Sequence, residues 1–185
     1  MKYLFNITIG ILTTLIILVI VLIPSNYLNQ EEAIPVVSGL VIPTELFIDR
    51  ISVRAPIESV GMTNDAMEVP TRPDSVGWYE RGIRPGDTGS AVLAGHVNWM
   101  GGKDAVFSRL HLLQPGDIIG VLNNYGVMNY FIVRETKSFP FESDTTDIFM
   151  SHTGSAKLNL ITCDGAWNKE KKTHDLRLVV FAEKI

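Results

Sequence analysis

Cys163 is the only cysteine of this 185-residue chain and its best candidate for covalent chemistry. With no second cysteine in the sequence, it cannot form an internal disulfide. An unpaired cysteine in an exported protein forms an intermolecular bridge, packs as a small apolar residue, or acts as a nucleophile. A nucleophilic cysteine needs a neighbouring cation that favours the thiolate, and acyl transfer also needs a proton donor for the leaving amine. The nucleophile hypothesis therefore predicts a cationic side chain and an imidazole beside Cys163.

Arg177 is the predicted cation, because side chains alternate between the two faces of a strand. Cys163 ends the predicted strand 157–163 and lies on its more polar face. The apolar face of the next predicted strand, 175–183, comprises Leu176, Leu178, Val180 and Ala182. Arg177 therefore points to the opposite side. If the two strands pair as a hairpin, Arg177 and Cys163 become cross-strand neighbours, with Cβ atoms ~4.5–5.5 Å apart.

Histidine suits the role of proton donor because its ordinary pKa lies near neutrality. Of the four histidines, His96 is the best candidate, since it ends an apolar run and follows Gly95, which allows close backbone approach. The other three lie in predicted turns or loops: His111, His152 and His174. The alternative for His96 is a hydrogen-bonded core histidine.

Short β-rich runs separated by turn residues must position these side chains. The predicted strands are 45–53, 57–61, 89–97, 117–123, 128–138, 157–163 and 175–183. Pro-Gly-Asp turns precede two of them, and helical signals are confined to short turns near 105–110 and 144–151. Seven or more short strands in ~140 residues predict a closed or nearly closed β-barrel, or else a sandwich.

The first 44 residues have a different composition from the rest. Residues 3–23 contain no charge and, at about 1.5 Å per residue, reach about 31 Å, the thickness of a bilayer core. We therefore expect a cytoplasmic stub and single-pass anchor over 1–23, a proline-containing extracellular linker over 24–44 and a catalytic domain over 45–185. Lys2 before the span and Glu31 after it favour a cytoplasmic N-terminus. A cleaved signal peptide is the alternative.

The net charge and the spacing of possible metal ligands argue against nucleic-acid binding and metal binding. The net charge of −4 and the absence of a basic run give no reason to expect nucleic acid. One cysteine with scattered histidines has no zinc spacing, so neither a metal nor another cofactor is expected. Glu142, Asp144 and Asp147 lack a calcium-loop pattern and are read as the solvated start of a helix.

Three segments, read together, resemble the His, Cys and Arg signatures of the sortases. They are AVLAGHV (91–97), LITC (160–163) and HDLRLVVFA (174–182), in the family's order and spacing. The longer segments 67–97 and 106–117 look most like class F, and the resemblance extends from about Leu46 to Ala182. Sortases are membrane-anchored cysteine transpeptidases of Gram-positive bacteria. The resemblance implies an eight-stranded β-barrel with short helices or 3-10 turns, preceded by one transmembrane helix.

By motif match, the resemblance assigns Cys163 as nucleophile, His96 as general acid/base and Arg177 as stabiliser of substrate and oxyanion. It implies cleavage of the Thr–Gly bond of an LPxTG-like sorting signal on a secreted protein. The resulting thioester is resolved by an amine from a cell-wall peptide or a pilin lysine. The enzyme would lie in the cell membrane, with its catalytic domain outside.

The sequence departs from the family's pattern at two places and leaves other functions open. Asp164 stands where many relatives carry a small residue, and a carboxylate beside a thiol disfavours the thiolate. Asn159 stands where sortases often show Thr, and Trp167 is a candidate lid. The alternatives are a degenerate sortase serving as a surface-binding or assembly scaffold, or an exported L,D-transpeptidase. The L,D-transpeptidases place their arginine two residues after the cysteine, whereas Arg177 follows Cys163 by 14 positions (177 − 163).

Overall fold

A computed structural model describes residues 40–63, 66–150 and 154–185. Its strands are β1 (Pro43–Ile48), β2 (Val53–Val60), β3 (Met62–Thr63), β4 (Ala66–Met67), β5 (Val76–Tyr79), β6 (Gly89–Gly95), β7 (Asn98–Trp99), β8 (Lys103–Asp104), β9 (Ile118–Asn123), β10 (Met128–Pro140), β11 (Ala156–Asn168) and β12 (Thr173–Lys184). The helical pieces are one short helix, α1 (Thr146–Phe149), and 3-10 turns at Asp49–Ile51, Met100–Gly102 and Leu110–Leu112. The fold of the described residues is therefore all-β, as the sequence predicts.

Eight of these strands close into a barrel in the order β1-β2-β5-β6-β11-β12-β10-β9. Two neighbouring pairs are parallel, β2 with β5 and β6 with β11, and the other pairs are antiparallel. Closure leaves no open edge in this sheet. The eight-stranded barrel is confirmed, and the sandwich alternative is wrong.

Alternating side chains fill the barrel from each strand in turn. On β11 and β12 the inward residues Leu158, Leu160, Val180 and Ala182 are all buried. Phe107 and Leu110, from the segment between β8 and β9, join the same core. Each large apolar side chain buried in this way contributes about 1.5–3 kcal/mol. The two faces of β11 and β12 are thus fixed, which also fixes the direction of Cys163 and Arg177.

The strand bounds differ from the predicted ones where backbone geometry changes within an apolar run. The predicted strand 45–53 is interrupted after Ile48 by a 3-10 turn, and Ser52 adopts a left-handed conformation with φ of 56°. This turn reverses the chain, so the run supplies both β1 and the start of β2. β5 was not predicted, because its sequence Val-Gly-Trp-Tyr is short and does not alternate.

Cys163 does not end its strand, contrary to the prediction. β11 continues to Asn168 after an irregularity in its pairing with β12 between Asp164 and Trp167. Gly165 adopts a φ of 73° within this irregularity, and a Cβ there would lie 2.9 Å from Leu176. This glycine therefore allows a bulge in the hairpin, after which the two strands pair again. The sequence pattern alone indicates a loop in this segment.

The N-terminal predictions fall largely outside the described residues. The proposed anchor, 1–23, and linker residues 24–39 are not described. β1 begins at Pro43, so the last two residues of the predicted linker belong to the barrel. Within the described ranges, the structure contains no helix whose length and apolar character would let it cross a membrane.

Candidate active site

Cys163 and Arg177 are direct cross-strand partners in the β11–β12 ladder. Their neighbours in the register, Thr162 and Leu178, are buried on the core side, so Cys163 and Arg177 share the outer face. Both are half-buried. The hairpin predicted from side-chain alternation therefore exists, and it makes Cys163 and Arg177 cross-strand neighbours on one face.

The guanidinium of Arg177 is held by acceptors of its own strand. Its Nη1 donates to the carbonyl oxygens of His174 at 3.0 Å and Leu176 at 2.9 Å, and its Nη2 donates to Thr173 Oγ1 at 2.8 Å. The guanidinium carbon also lies 4.5 Å from the ring centroid of Phe141. Hydrogen bonds from the edge and an aromatic ring against the face together restrict this long side chain to one orientation.

A buried side-chain hydrogen bond connects β11 to the end of β6. The two strands pair in parallel, with Ile161 beside Ala94 at the last paired position. Thr162 Oγ1 then donates to the carbonyl oxygen of Gly95 at 2.8 Å. His96 follows Gly95, and Cys163 follows Thr162, so the two chemically active residues lie one position beyond this bond.

The three predicted site residues lie on, or directly after, three neighbouring strands. On β6, Ala91 and Leu93 belong to the core cluster, which places the alternate positions, including Ala94, on the outer side. His96 directly follows the end of β6, and β6, β11 and β12 are neighbours in the barrel. The three predicted site residues therefore come from neighbouring parts of the sheet, with Cys163 and Arg177 on one face and His96 just beyond the end of β6.

The imidazole of His96 is fixed from two sides. Its Nε2 lies 2.9 Å from the carbonyl oxygen of Pro70, and its ring meets the ring of Trp99 edge-on at 4.9 Å. The backbone carbonyl of His96 accepts from Phe107 N at 2.9 Å. The ring is half-buried rather than enclosed in the core. The role of His96 as general acid/base stays a prediction.

The other histidines lie elsewhere. His111 is exposed in the 3-10 turn Leu110–Leu112, and His152 is outside the described residues. His174 lies in β12, where its Nδ1 bonds the carbonyl of Gly165 at 3.0 Å and its ring meets Trp167 at 5.4 Å. Its Nε2 is buried without a hydrogen-bond partner among the described residues.

Asp164 and Asn159, the two departures from the sortase pattern, both have structural partners. Asp164 lies on the opposite face from Cys163, and its carboxylate accepts from Ser138 Oγ at 2.6 Å. The strand therefore turns this charge away from the thiol. Asn159 is buried, and its Nδ2 donates to the carbonyl of Ile148 in α1. It connects β11 to the helix.

Three contributors to the site were not found from the sequence. The carbonyl of Pro70 has no side-chain signature at all. Phe141, the residue after β10, and Thr173, the first residue of β12, contact Arg177. Thr173 lies four positions before Arg177, which would place it on the same face of a strand, and this spacing was the one available signal.

This arrangement can perform acyl transfer. It joins a soft nucleophile, a guanidinium able to bind a developing oxyanion, and an imidazole able to exchange a proton. Among the described residues, no group of three His, Cys, Asp or Glu side chains is placed to hold a metal ion.

A family model described as a sortase domain matches residues 46–185. The chain belongs to the sortase family. A curated relative, sortase D of Bacillus subtilis (strain 168), is 34% identical to this sortase over 118 residues, which make up 64% of this chain and 52% of that protein. This sortase thus spans about half the length of the curated relative it matches. The family predicted from sequence is confirmed, while class F stays a prediction.

Solved sortase structures share the fold of this sortase. Sortase C-1 of Actinomyces oris matches with a TM-score of 0.61 and 24% identity, over 77% of this chain and 73% of that one. The complex of Streptococcus agalactiae sortase C1 with MTSET matches at 0.61 and 22%, over 78% and 69%. Corynebacterium diphtheriae sortase A matches at 0.60 and 20%, over 78% and 60%. At these identities the likeness establishes the barrel architecture.

Proposed function

We propose that this sortase is a cysteine transpeptidase that cleaves the Thr–Gly bond of an LPxTG-like sorting signal and transfers the acyl group to an amine. The observation that carries the proposal is the cross-strand pair of Cys163 and Arg177, with the Thr162–Gly95 bond bringing the end of β6, next to His96, against β11. β6 and β11 come from parts of the sequence more than sixty residues apart. A thiol, an imidazole and a guanidinium are the groups that suit nucleophilic acyl transfer.

In the first half-reaction the Cys163 thiolate attacks the threonine carbonyl, and a carbon–sulfur bond forms. The carbonyl oxygen becomes an oxyanion, which the neighbouring Arg177 guanidinium stabilises. The carbon–nitrogen bond then breaks, and the glycine amine leaves with a proton from the His96 imidazolium. The product is a thioester between Cys163 and the threonine of the sorting signal.

In the second half-reaction an amine attacks the thioester. His96, now neutral, accepts the proton of the incoming amine as the new carbon–nitrogen bond forms. The carbon–sulfur bond breaks and Cys163 returns as a thiolate. The amine belongs to a cell-wall peptide or a pilin lysine, and water is the unproductive competitor.

The proposal extends to the setting of the enzyme. Residues 1–23 anchor the protein in the cell membrane by a single pass with the N-terminus in the cytoplasm, and the barrel lies outside the cell. Its partners are then secreted proteins with a C-terminal sorting signal. Lys2 before the uncharged run 3–23, with Glu31 and Glu32 as the first charges after it, supports this orientation.

The test is a cleavage assay with a fluorogenic peptide containing Leu-Pro-Glu-Thr-Gly, with and without hydroxylamine as a thioester-trapping amine. Wild-type protein is expected to release the glycine fragment and to show the acyl adduct on Cys163 by mass spectrometry. Cys163→Ala should form no adduct. His96→Ala should lose turnover while a methanethiosulfonate still labels Cys163, which separates proton transfer from thiol accessibility.

The assay also separates the two alternatives from the proposal. If a series of sorting-signal peptides stays intact with every amine supplied, although Cys163 is labelled, the protein is a surface-binding or assembly scaffold. An exported L,D-transpeptidase would instead act on peptidoglycan stem peptides and leave the sorting-signal peptide intact. Arg177 pairs with Cys163 across the hairpin, in contrast to an arginine two residues after the cysteine.

A further inference from the structure

Glu58 on β2 organises the loop between β4 and β5. Its Oε2 accepts from the backbone N of Thr71 at 3.1 Å and from Thr71 Oγ1 at 2.9 Å, while its Oε1 accepts from Ser75 Oγ. Arg72 lies 3.7 Å from the same carboxylate. Ser75 is fully buried, so this carboxylate bonds into the packed base of the loop.

The same loop contacts His96. Pro70 is buried, and its carbonyl oxygen is the 2.9 Å partner of His96 Nε2. Further along the loop, the carbonyl of Pro73 accepts from Val106 N at 2.7 Å, next to the residue that bonds the His96 carbonyl. The loop therefore lies between Glu58 on one side and the His96 region on the other.

The Pro70 contact determines which nitrogen of His96 can react. A carbonyl oxygen only accepts hydrogen bonds, so Nε2 must carry a proton to make this one. Nε2 is then protonated in both the neutral and the charged imidazole. The proton that is exchanged during a reaction must therefore reside on Nδ1.

We propose that Glu58 is a positioning residue, which holds the loop so that the Pro70 carbonyl binds His96 Nε2–H and leaves Nδ1 as the reacting nitrogen. This inference rests on the proposed transpeptidase function for its role in catalysis. The geometry itself, a carboxylate two contacts from the imidazole, is independent of the substrate. The hydrogen bond from Ser75, and those from Thr71, also lower the pKa of Glu58, which keeps it an acceptor at neutral pH.

Glu58→Gln tests this role with little change in size. One carboxylate oxygen becomes an amide NH2, which cannot accept from Ser75 or Thr71. The loop then loses at least one of its anchors. We expect Pro70 to release Nε2, and the imidazole to populate both neutral tautomers.

Glu68→Gln is the matched control. Glu68 also accepts a backbone N–H and a threonine hydroxyl, from Gly61 at 3.1 Å and Thr63 at 2.6 Å, and its pKa is lowered by them. Glu68 lies at the start of the same loop, but its carboxylate bonds back to Gly61 and Thr63 and not to Thr71 or Ser75. The control therefore removes the same charge and the same kind of acceptor while the bonds of Glu58 that hold the loop beyond Pro70 stay in place.

Two readouts apply to the purified full chain. The first is ¹⁵N NMR of histidine-labelled protein, with His96 assigned through a His96→Gln variant. Wild type and Glu68→Gln should show His96 as the Nε2–H tautomer, and Glu58→Gln should show a mixture. The second is kcat/KM for the Leu-Pro-Glu-Thr-Gly peptide, which should fall about tenfold to a hundredfold in Glu58→Gln through misplacement of the imidazole. Glu68→Gln should stay within about twofold of wild type.

An Nδ1–H tautomer in the wild type would overturn the inference, as would a Glu58→Gln variant with the wild-type tautomer and rate. If wild type cleaves no peptide, the proposed function fails, and the NMR comparison still decides the positioning role. If Glu58→Gln does not fold, Ser75→Ala and Thr71→Val each remove one anchor and carry the same expectations. Wild-type NMR spectra from both of these would also refute it.

Discussion

Replacing Thr162 by valine tests whether the β6–β11 junction positions the site. Valine has nearly the shape of threonine but lacks the hydroxyl. The lost bond, from Thr162 Oγ1 to the Gly95 carbonyl at 2.8 Å, is buried, and Thr162 is only 4% exposed. Water cannot replace a donor at such a position, so the carbonyl loses a partner.

We expect the free energy of unfolding to fall by about 1–3 kcal/mol, the penalty for removing the donor of a buried acceptor. For a domain of this size, each kcal/mol lowers Tm by about 2–4 °C, so a central value of about 2 kcal/mol gives about 4–8 °C. Urea unfolding followed by tryptophan fluorescence measures the free energy, and calorimetry measures Tm. Thr136→Val is the comparison, because its bond to the Leu113 carbonyl is longer, 3.3 Å, and only part-buried. It should cost less than about 1 kcal/mol.

The same variant should also lose activity at a temperature where it is fully folded. His96 directly follows Gly95 and Cys163 directly follows Thr162, the two residues that this bond joins. A small separation of β6 and β11 therefore shifts the imidazole relative to the thiol. A displacement of about 1 Å can cost a hundredfold in rate. We expect a fall of more than about tenfold in kcat/KM for the sorting-signal peptide. A variant as stable as wild type within about 0.5 kcal/mol, or destabilised with unchanged activity, would refute this reasoning.

Three other perturbations have definite expected outcomes. Arg177→Lys should be severely impaired in peptide cleavage, because an ammonium cannot make the forked bonds of the guanidinium, whereas Arg134→Lys, in a surface ion pair, should cleave normally. Gly95→Ala should lose about 1–3 kcal/mol in urea unfolding, because its Cβ would lie 2.6 Å from a buried phenylalanine ring, while Gly61→Ala, with its nearest neighbour at 3.5 Å, should not. The pKa of Glu58 is lowered in the folded state, so its carboxylate stabilises the fold above the usual carboxyl range. The stability difference between wild type and Glu58→Gln should therefore be largest at neutral pH and shrink as the pH falls through that lowered pKa; a constant difference from pH 7 to pH 3 would contradict this.

The pairing of Cys163 with Arg177 was predictable because both residues belong to one hairpin. In a strand the side-chain period is two, so a one-residue error in register would have moved an apolar face into solvent. The buried residues Leu158, Leu160 and Val180 fix that register. Local periodicity therefore determined the direction of two of the three candidate site residues.

The position of His96 relative to Cys163 was not predictable in this way. Their strands pair in parallel, and the bond that joins them connects residues 67 positions apart. Neither composition nor periodicity selects one parallel partner among several strands. The choice of His96 therefore depended on its own local environment and on the family resemblance.

The predicted strand boundaries are wrong at places where a single residue changes the backbone conformation. Ser52, left-handed at the end of the 3-10 turn, lets the chain reverse within the first predicted strand, and Gly165 allows β11 to continue after Cys163. Both effects depend on dihedral angles that the hydrophobic pattern does not encode. The Pro70 carbonyl was missed for a related reason, since any residue carries that group.

The bonds that hold Arg177 leave it able to act on a substrate. A guanidinium has five N–H donors, and within the described part of the chain three hydrogen bonds engage it, with Thr173, His174 and Leu176. Two donors therefore remain for an oxyanion, on a side chain that Phe141 and its own strand already orient. Binding an oxyanion then requires no loss of rotamer freedom at the moment of reaction, which is the condition under which electrostatic stabilisation is most effective. A lysine at this position would retain the charge but neither the fork nor the stacking, so the orientation as well as the charge of Arg177 is part of the proposed mechanism.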